Sequence, residues 1–213
     1  MATASIGTRL VSRPTTTGAS NIPKTGPVIL VVNHVSNIDP VIIGASIGRK
    51  RLIRALAKDS LFSVPILGAA MRKMGHIPVA RNTRNANKAL ETAVERITSG
   101  EVTLIYPEGG IPENLSKVGK LKTGAARLAL LTGATVIPVA QWGAQNVLVT
   151  GRPLSIFKAF LTRPRARIVV GKPVESNLVT GLPIRPEDLN QSSVLALTEE
   201  LQQLIESMVS DLR

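Results

Sequence analysis

The chain has no cysteine, which removes disulfides, thiolate metal ligands, iron–sulfur clusters and any thiol nucleophile. Its 213 residues include two histidines, His34 and His76, so an imidazole base is one of these two and a multi-histidine metal site is not expected. Aromatic residues number five: Phe62, Tyr106, Trp142, Phe157 and Phe160. Modules that grip single-stranded nucleic acid stack bases on aromatic rings, and this sequence has few to offer. A membrane-spanning run is missing as well. The longest charge-free stretch, Leu128 to Gly151, is interrupted by Thr132-Gly133, Pro138 and the polar run Gln141 to Asn146. The first residues lack the apolar centre of a secretory signal, so the expectation is a cytoplasmic protein, soluble or peripheral to a membrane.

Acidic residues are scarce through most of the chain. Residues 1–172 hold 24 basic and 7 acidic side chains, while 173–213 hold 2 and 7, and the net formal charge is +12. Such an excess implies a polyanionic partner: nucleic acid, an anionic membrane surface or a phosphorylated substrate. The shortage of aromatic rings sets nucleic acid behind the other two.

What is abundant is aliphatic sequence in an alternating order of strands and helices. Residues 1–27, rich in Thr, Ser, Gly and Pro, have no periodicity and read as a loose lead-in. Val28 to Val32 is a continuous apolar run, the pattern of a strand buried on both faces, and Asp39-Pro40 reads as a helix start with Asp at the cap. Further strands are predicted at Arg51 to Ala57, Val102 to Tyr106, Val136 to Ala140 and Ala166 to Gly171. Helices are predicted over 60–74 with a break near Pro65, Asn82 to Ser99, Thr123 to Leu131, and 187–212. The pattern is that of a single-domain α/β protein with a mainly parallel central sheet flanked by helices, with residues 28–213 as the functional domain.

In such sheets ligands sit beyond the carboxyl ends of the strands. Two polar loops follow buried strands here, Asn33 to Asp39 and Pro107 to Gly110. If His34 sits in the loop and Asp39 starts the helix, the carboxylate can accept from one ring nitrogen and leave the other to take a proton. Read locally, the same residues also fit a capping Asp beside a loop histidine, with no chemistry.

Asn33-His34-Val35-Ser36-Asn37-Ile38-Asp39 resembles the N-H-x-x-x-x-D motif of the glycerolipid acyltransferase family, typified by 1-acyl-glycerol-3-phosphate acyltransferases. Three further blocks follow in the family's order: Gly75 to Arg81, Tyr106-Pro107-Glu108-Gly109, and Val136-Ile137-Pro138-Val139. Four ordered blocks are far more specific than any one of them. The resemblance implies transfer of a fatty acyl group from acyl-CoA or acyl carrier protein to a hydroxyl of lysophosphatidic acid or a related lysophospholipid. It implies His34 as general base and Asp39 as its orienting partner, with no covalent intermediate, no metal and no cofactor beyond the thioester co-substrate. It also implies Arg81 as the clamp on the acceptor's phosphate and Glu108 as a substrate-binding carboxylate, buried and hydrogen-bonded to the loop or to an acceptor hydroxyl. Gly109 and Gly110 are candidates for backbone oxyanion donors, or form a simple tight turn. The implied partners are the acyl donor, the lipid acceptor and an anionic membrane surface, with no nucleic acid.

The sequence departs from the family after Gly109, where Gly110-Ile111-Pro112-Glu113 replaces the usual Thr-Arg and removes a cation from the acceptor site. Lys117, Lys120 and Lys122 are the nearby replacements. His76 has no nearby acid and reads as structural. The uncharged segment Leu61 to Met71, flanked by Lys58 and Arg72-Lys73, fits either a core helix or a lipid-facing surface. Gly44-Ala45-Ser46-Ile47-Gly48 matches the serine-hydrolase elbow G-x-S-x-G but falls inside a predicted helix, so it reads as accidental. The alternatives are transfer to an acceptor without phosphate, and a non-enzymatic basic protein that binds lipid or nucleic acid.

Overall fold

The computed structural model describes residues 2–48, 51–65, 67–79, 86–149, 151–174, 179 and 181–213. Seven strands form one sheet in the order β1-β7-β6-β2-β5-β3-β4. They are β1 (Arg13–Thr17), β2 (Val28–Val32), β3 (Ile53–Lys58), β4 (Ile77–Val79), β5 (Val102–Ile105), β6 (Thr135–Trp142) and β7 (Arg165–Val170). All neighbours are parallel except β6 and β7, so β7 and its parallel partner β1 run against the other five. The helices are α1 (Ala2–Val11), α2 (Asp39–Ile47), α3 (Leu67–Lys73), α4 (Ala86–Thr98), α5 (Gly124–Thr132), α6 (Ser155–Thr162) and α7 (Gln191–Ser210). This is the expected single-domain, mainly parallel α/β architecture.

The five residues of β2 are all buried because the strand is covered on both sides. Val28, Leu30 and Val32 share one core with Ile42 and Ile43 of α2 and Ala159 of α6. Ile29 and Val31 share the other with Ala93 and Ile97 of α4, Ala125 and Ala129 of α5, and Leu197, Leu201 and Ile205 of α7. Pleating sends alternate side chains to opposite faces, so a single apolar run feeds two cores. α5 ends where Gly133 takes a left-handed φ of 61°, which a residue without Cβ adopts without strain.

Two expectations are corrected. Residues 1–27 are not a loose lead-in: α1 packs against α2 and α6, and β1 extends the sheet along β7 with Arg13 opposite Arg165 and Thr17 opposite Val169. β1 sits at the sheet edge with no buried residue, so it lacks the apolar signal of an interior strand, and Pro14 is tolerated there. Asp39 is not the helix cap, a position held by Ile38, but the first residue of α2. The segment 60–74 is helical with its break near Pro65, as expected: a 3-10 turn over Asp59–Ser63 and then the short α3, with Leu61 and Val64 exposed and Met71 buried. α6 had no predicted counterpart, since Ala159 is its one buried residue and it offers no inward apolar stripe. Among the described residues, no helix is long and apolar enough to cross a membrane.

Candidate active site

The site lies at the carboxyl ends of β2 and β5, where the loops 33–38 and 106–110 meet. Loop 33–38 is fastened at both ends. The Asn33 side chain donates to the Gln141 carbonyl (3.0 Å) and accepts from its N–H (2.8 Å), and the Gln141 side chain donates back to the Asn33 carbonyl (3.0 Å). Three bonds thus clasp the ends of β2 and β6. Farther along, the Ser36 hydroxyl donates to the Leu148 carbonyl at 2.6 Å.

Between these ties the loop turns its backbone toward Asp39. Asp39 Oδ2 accepts from the N–H groups of Val35 (2.8 Å) and Ser36 (2.9 Å), and His34 Nδ1 approaches the same oxygen to 2.8 Å. The Asp39 side chain is wholly buried, while that of His34 is 15% exposed. A carboxylate oxygen only accepts, so Nδ1 carries the proton, and Nε2, which has no partner among the described residues, is the basic nitrogen. The two residues converge because His34 precedes the helix and Asp39 opens it; five positions apart within one helix they would diverge.

The Tyr106 ring stacks on the imidazole with centroids 4.1 Å apart and planes inclined by 20°. Burial pushes the Tyr106 phenol well above its ordinary range, and the nearby Asp39 charge pushes the same way. Glu108 joins three segments: one oxygen accepts the His34 N–H (2.6 Å) and the other the Gly119 N–H (2.7 Å). Burial raises the Glu108 carboxyl above its usual range against the downward pull of those two N–H groups. Gly109, at φ 76°, sends its N–H to the Tyr106 carbonyl (3.1 Å) and closes a tight turn, and a Cβ there would fall 2.7 Å from Lys122 Nζ. Gly110 is exposed. A small cavity bounded by Asn33, His34, Glu108, Lys117, Trp142 and Arg213, among others, includes neither glycine in its wall. It shares Lys117, Val118, Val209 and Arg213 with a wider depression of about 390 Å³.

The structure therefore brings His34, Asp39 and Glu108 together, with Lys117 on the same wall, and leaves Gly109 and Gly110 outside it. Gly109 closes the tight turn with its N–H on the Tyr106 carbonyl. Arg81 lies outside the described residues. His76 is away from the site and accepts the Ala55 N–H at Nδ1 (2.9 Å). Ser46 lies within α2, not on a strand-to-helix elbow, and its hydroxyl is buried without a partner among the described residues. Sequence reasoning missed the stacking of Tyr106 and the clasp of Gln141, and missed Arg213, whose guanidinium lies 4.7 Å from the Trp142 ring centroid. Only Tyr106 carried a signal, as the aromatic residue that opens its motif. Among the described residues no group of three or more His, Asp or Glu could hold a metal ion.

A histidine is thus held by a buried carboxylate at the carboxyl edge of the parallel part of the sheet, and the matching family model supplies the class. The chain belongs to the acyltransferase family, whose model matches residues 13–142. That match begins within β1, so the first strand is part of the family unit. Among individual relatives, the chain is 28% identical over 162 residues to a chloroplastic 1-acyl-sn-glycerol-3-phosphate acyltransferase of Arabidopsis thaliana, covering 75% of this chain and 43% of that one. It is 32% identical over 134 residues to the 1-acyl-sn-glycerol-3-phosphate acyltransferase of Borreliella burgdorferi, covering 62% of this chain and 52% of that protein. The chain thus spans about half the length of the curated relatives it matches. Its fold is that of the 1-acyl-sn-glycerophosphate acyltransferase PlsC from Thermotoga maritima, with a TM-score of 0.69 and 23% identity over 95% of this chain and 73% of that one.

Proposed function

We propose that the protein transfers a fatty acyl group from an acyl-CoA or acyl carrier protein thioester to a hydroxyl of 1-acyl-glycerol-3-phosphate or a related lysophospholipid. The observation that carries this reading is the His34 Nδ1 to Asp39 Oδ2 contact of 2.8 Å, with that carboxylate oxygen also held by two backbone N–H groups. His34 Nε2 takes the proton of the acceptor hydroxyl as its oxygen bonds to the thioester carbonyl carbon. The tetrahedral oxyanion then collapses, the C–S bond breaks, and the departing thiolate takes the proton from the imidazolium. Asp39 stabilises that imidazolium and fixes its tautomer. No covalent enzyme intermediate forms, and the step needs no metal or cofactor.

Glu108 acts here as a positioning residue, since each oxygen already accepts a backbone N–H. Arg81 is the phosphate clamp by resemblance. Lys117 on the cavity wall and Lys122 against Gly109 supply cations near the place where the family's Thr-Arg is missing. Gly110-Ile111 in place of the family's Thr-Arg favours a second reading, an acceptor without phosphate. A peripheral position on an anionic membrane, on the cytoplasmic side, fits the lipid acceptor and the net charge of +12.

The test is thiol release by purified protein across a panel of donors and of acceptors with and without phosphate. His34→Ala and Asp39→Asn lower the rate by roughly a hundred- to ten-thousandfold, with circular dichroism unchanged. Wild-type transfer by either folded variant overturns the mechanism.

A further inference from the structure

α6 is built inside out. Leu154 just before it, and Phe157, Phe160 and Leu161 within it, are 74, 68, 55 and 82% exposed, while Ala159 alone faces the core. Leu154, Phe157 and Leu161 fall at i, i+3 and i+7, on one stripe of the helix, with Lys158 beside them. Two of the chain's five aromatic rings therefore sit in water on a single eight-residue helix. Leu10 of α1, which packs beside α6, is 50% exposed and extends the apolar area.

The charge around this stripe has one sign. Between Asn114 and Val174 the sequence has ten Lys and Arg residues and no carboxylate, and none precedes Asp39. Arg152, Lys158, Arg163 and Arg165 are exposed along and just beyond α6, and Arg163 donates from Nε to the Arg9 carbonyl (3.0 Å), tying α6 to α1. An apolar stripe with a cationic rim matches the acyl and headgroup layers of an anionic bilayer at once. It does not match a two-fold contact with a second copy, which would set the same cations against themselves.

The helix is also joined to the site. Ser36 of the His34 loop bonds the Leu148 carbonyl, and the next residue, Val149, donates its N–H to Ser155 Oγ at the start of α6 (2.9 Å). We infer that the exposed face of α6, with Leu10, is the surface on which the protein docks to an anionic lipid bilayer, setting the His34 edge beside the lipid. The docking itself is independent of the proposed reaction; its use in delivering a lipid acceptor rests on that reading.

The experiment is co-sedimentation of the full chain with phosphatidylcholine vesicles, with and without phosphatidylglycerol, at low and high salt. The wild type sediments with the anionic vesicles and loses affinity in high salt. The double variant Phe157→Glu and Leu161→Glu, at unchanged circular dichroism, binds roughly ten- to a hundredfold more weakly. A second pair, Arg152→Glu and Lys158→Glu, leaves the apolar stripe in place and weakens binding to anionic vesicles alone. Both pairs retain thiol release with a short-chain, monomeric acceptor and lose it with acceptor embedded in vesicles. Wild-type sedimentation by both pairs overturns the inference, as does a wild-type dimer that the first pair converts to monomer without changing vesicle binding. If thiol release is absent with every acceptor while vesicle binding follows the variants as stated, the docking surface stands and the catalytic reading falls.

Discussion

At the scale of single residues, the two histidines have opposite environments. His34 is joined to a carboxylate, whereas His76 lies near Arg54 and accepts a backbone N–H, a bond that requires its neutral form. Burial lowers the His76 pKa below its ordinary 6.5, and the Arg54 charge adds to the effect. A histidine with a depressed folded-state pKa contributes stability that is complete above the unfolded value and is lost as pH falls through the folded one. His76→Asn, which keeps an acceptor without the titration, therefore shows a flatter decline in urea midpoint than the wild type as pH drops below 6.5; parallel declines would refute this. Arg81 and Lys117 test the acceptor in the same spirit. Alanine at either is expected to raise KM for a phosphorylated acceptor by roughly tenfold while kcat changes little, since a lost charge-assisted bond is worth about 1.5–3 kcal/mol. Equal effects on acceptors with and without phosphate would remove these side chains from phosphate recognition. The motif residues His34 and Asp39 were legible because their pairing depends on local geometry. Gln141 and Arg213 were not, since each reaches the site through contacts more than 90 positions away in sequence.

At the scale of elements, legibility followed burial. β2 and β5, covered on both faces, announce themselves as apolar runs, and α7 shows its inward stripe at Val194, Leu197, Leu201, Ile205 and Val209. The stripe makes a direct prediction: Leu197→Ala costs about 2–5 kcal/mol by denaturant unfolding, whereas Leu195→Ala, at a half-exposed position of the same helix, stays within roughly 0.5 kcal/mol. Comparable losses would mean that the stripe does not face the core. β1 and α6 were invisible for opposite reasons. β1 is a polar edge strand whose pairing comes from backbone alone, and α6 carries its apolar residues on the side away from the core.

At the scale of the whole molecule, the mainly parallel sheet is present as expected, and its one antiparallel junction lies between β6 and β7. Alternating strands and helices predict a mainly parallel sheet; β7 returns antiparallel beside β6 after the connection that contains α6, and β1 then pairs with β7 from the far end of the chain. That pairing makes the amino-terminal segment a structural member. Deleting residues 2–17 removes β1 and bares the β7 edge, so the truncated protein is expected to melt at lower temperature and scatter light on heating. An unchanged melting temperature would return the segment to the status of a dispensable arm.

The His34 side chain is fixed at its root and along one side: the backbone N–H of His34 is held by Glu108, the ring Nδ1 by Asp39, and one ring face by Tyr106. The rotameric freedom such a side chain surrenders, roughly 1 kcal/mol in free-energy terms, is given up when the chain folds and not when substrate arrives. Loosening the ring while sparing its hydrogen bonds would thus register in the entropy of activation of the proposed transfer.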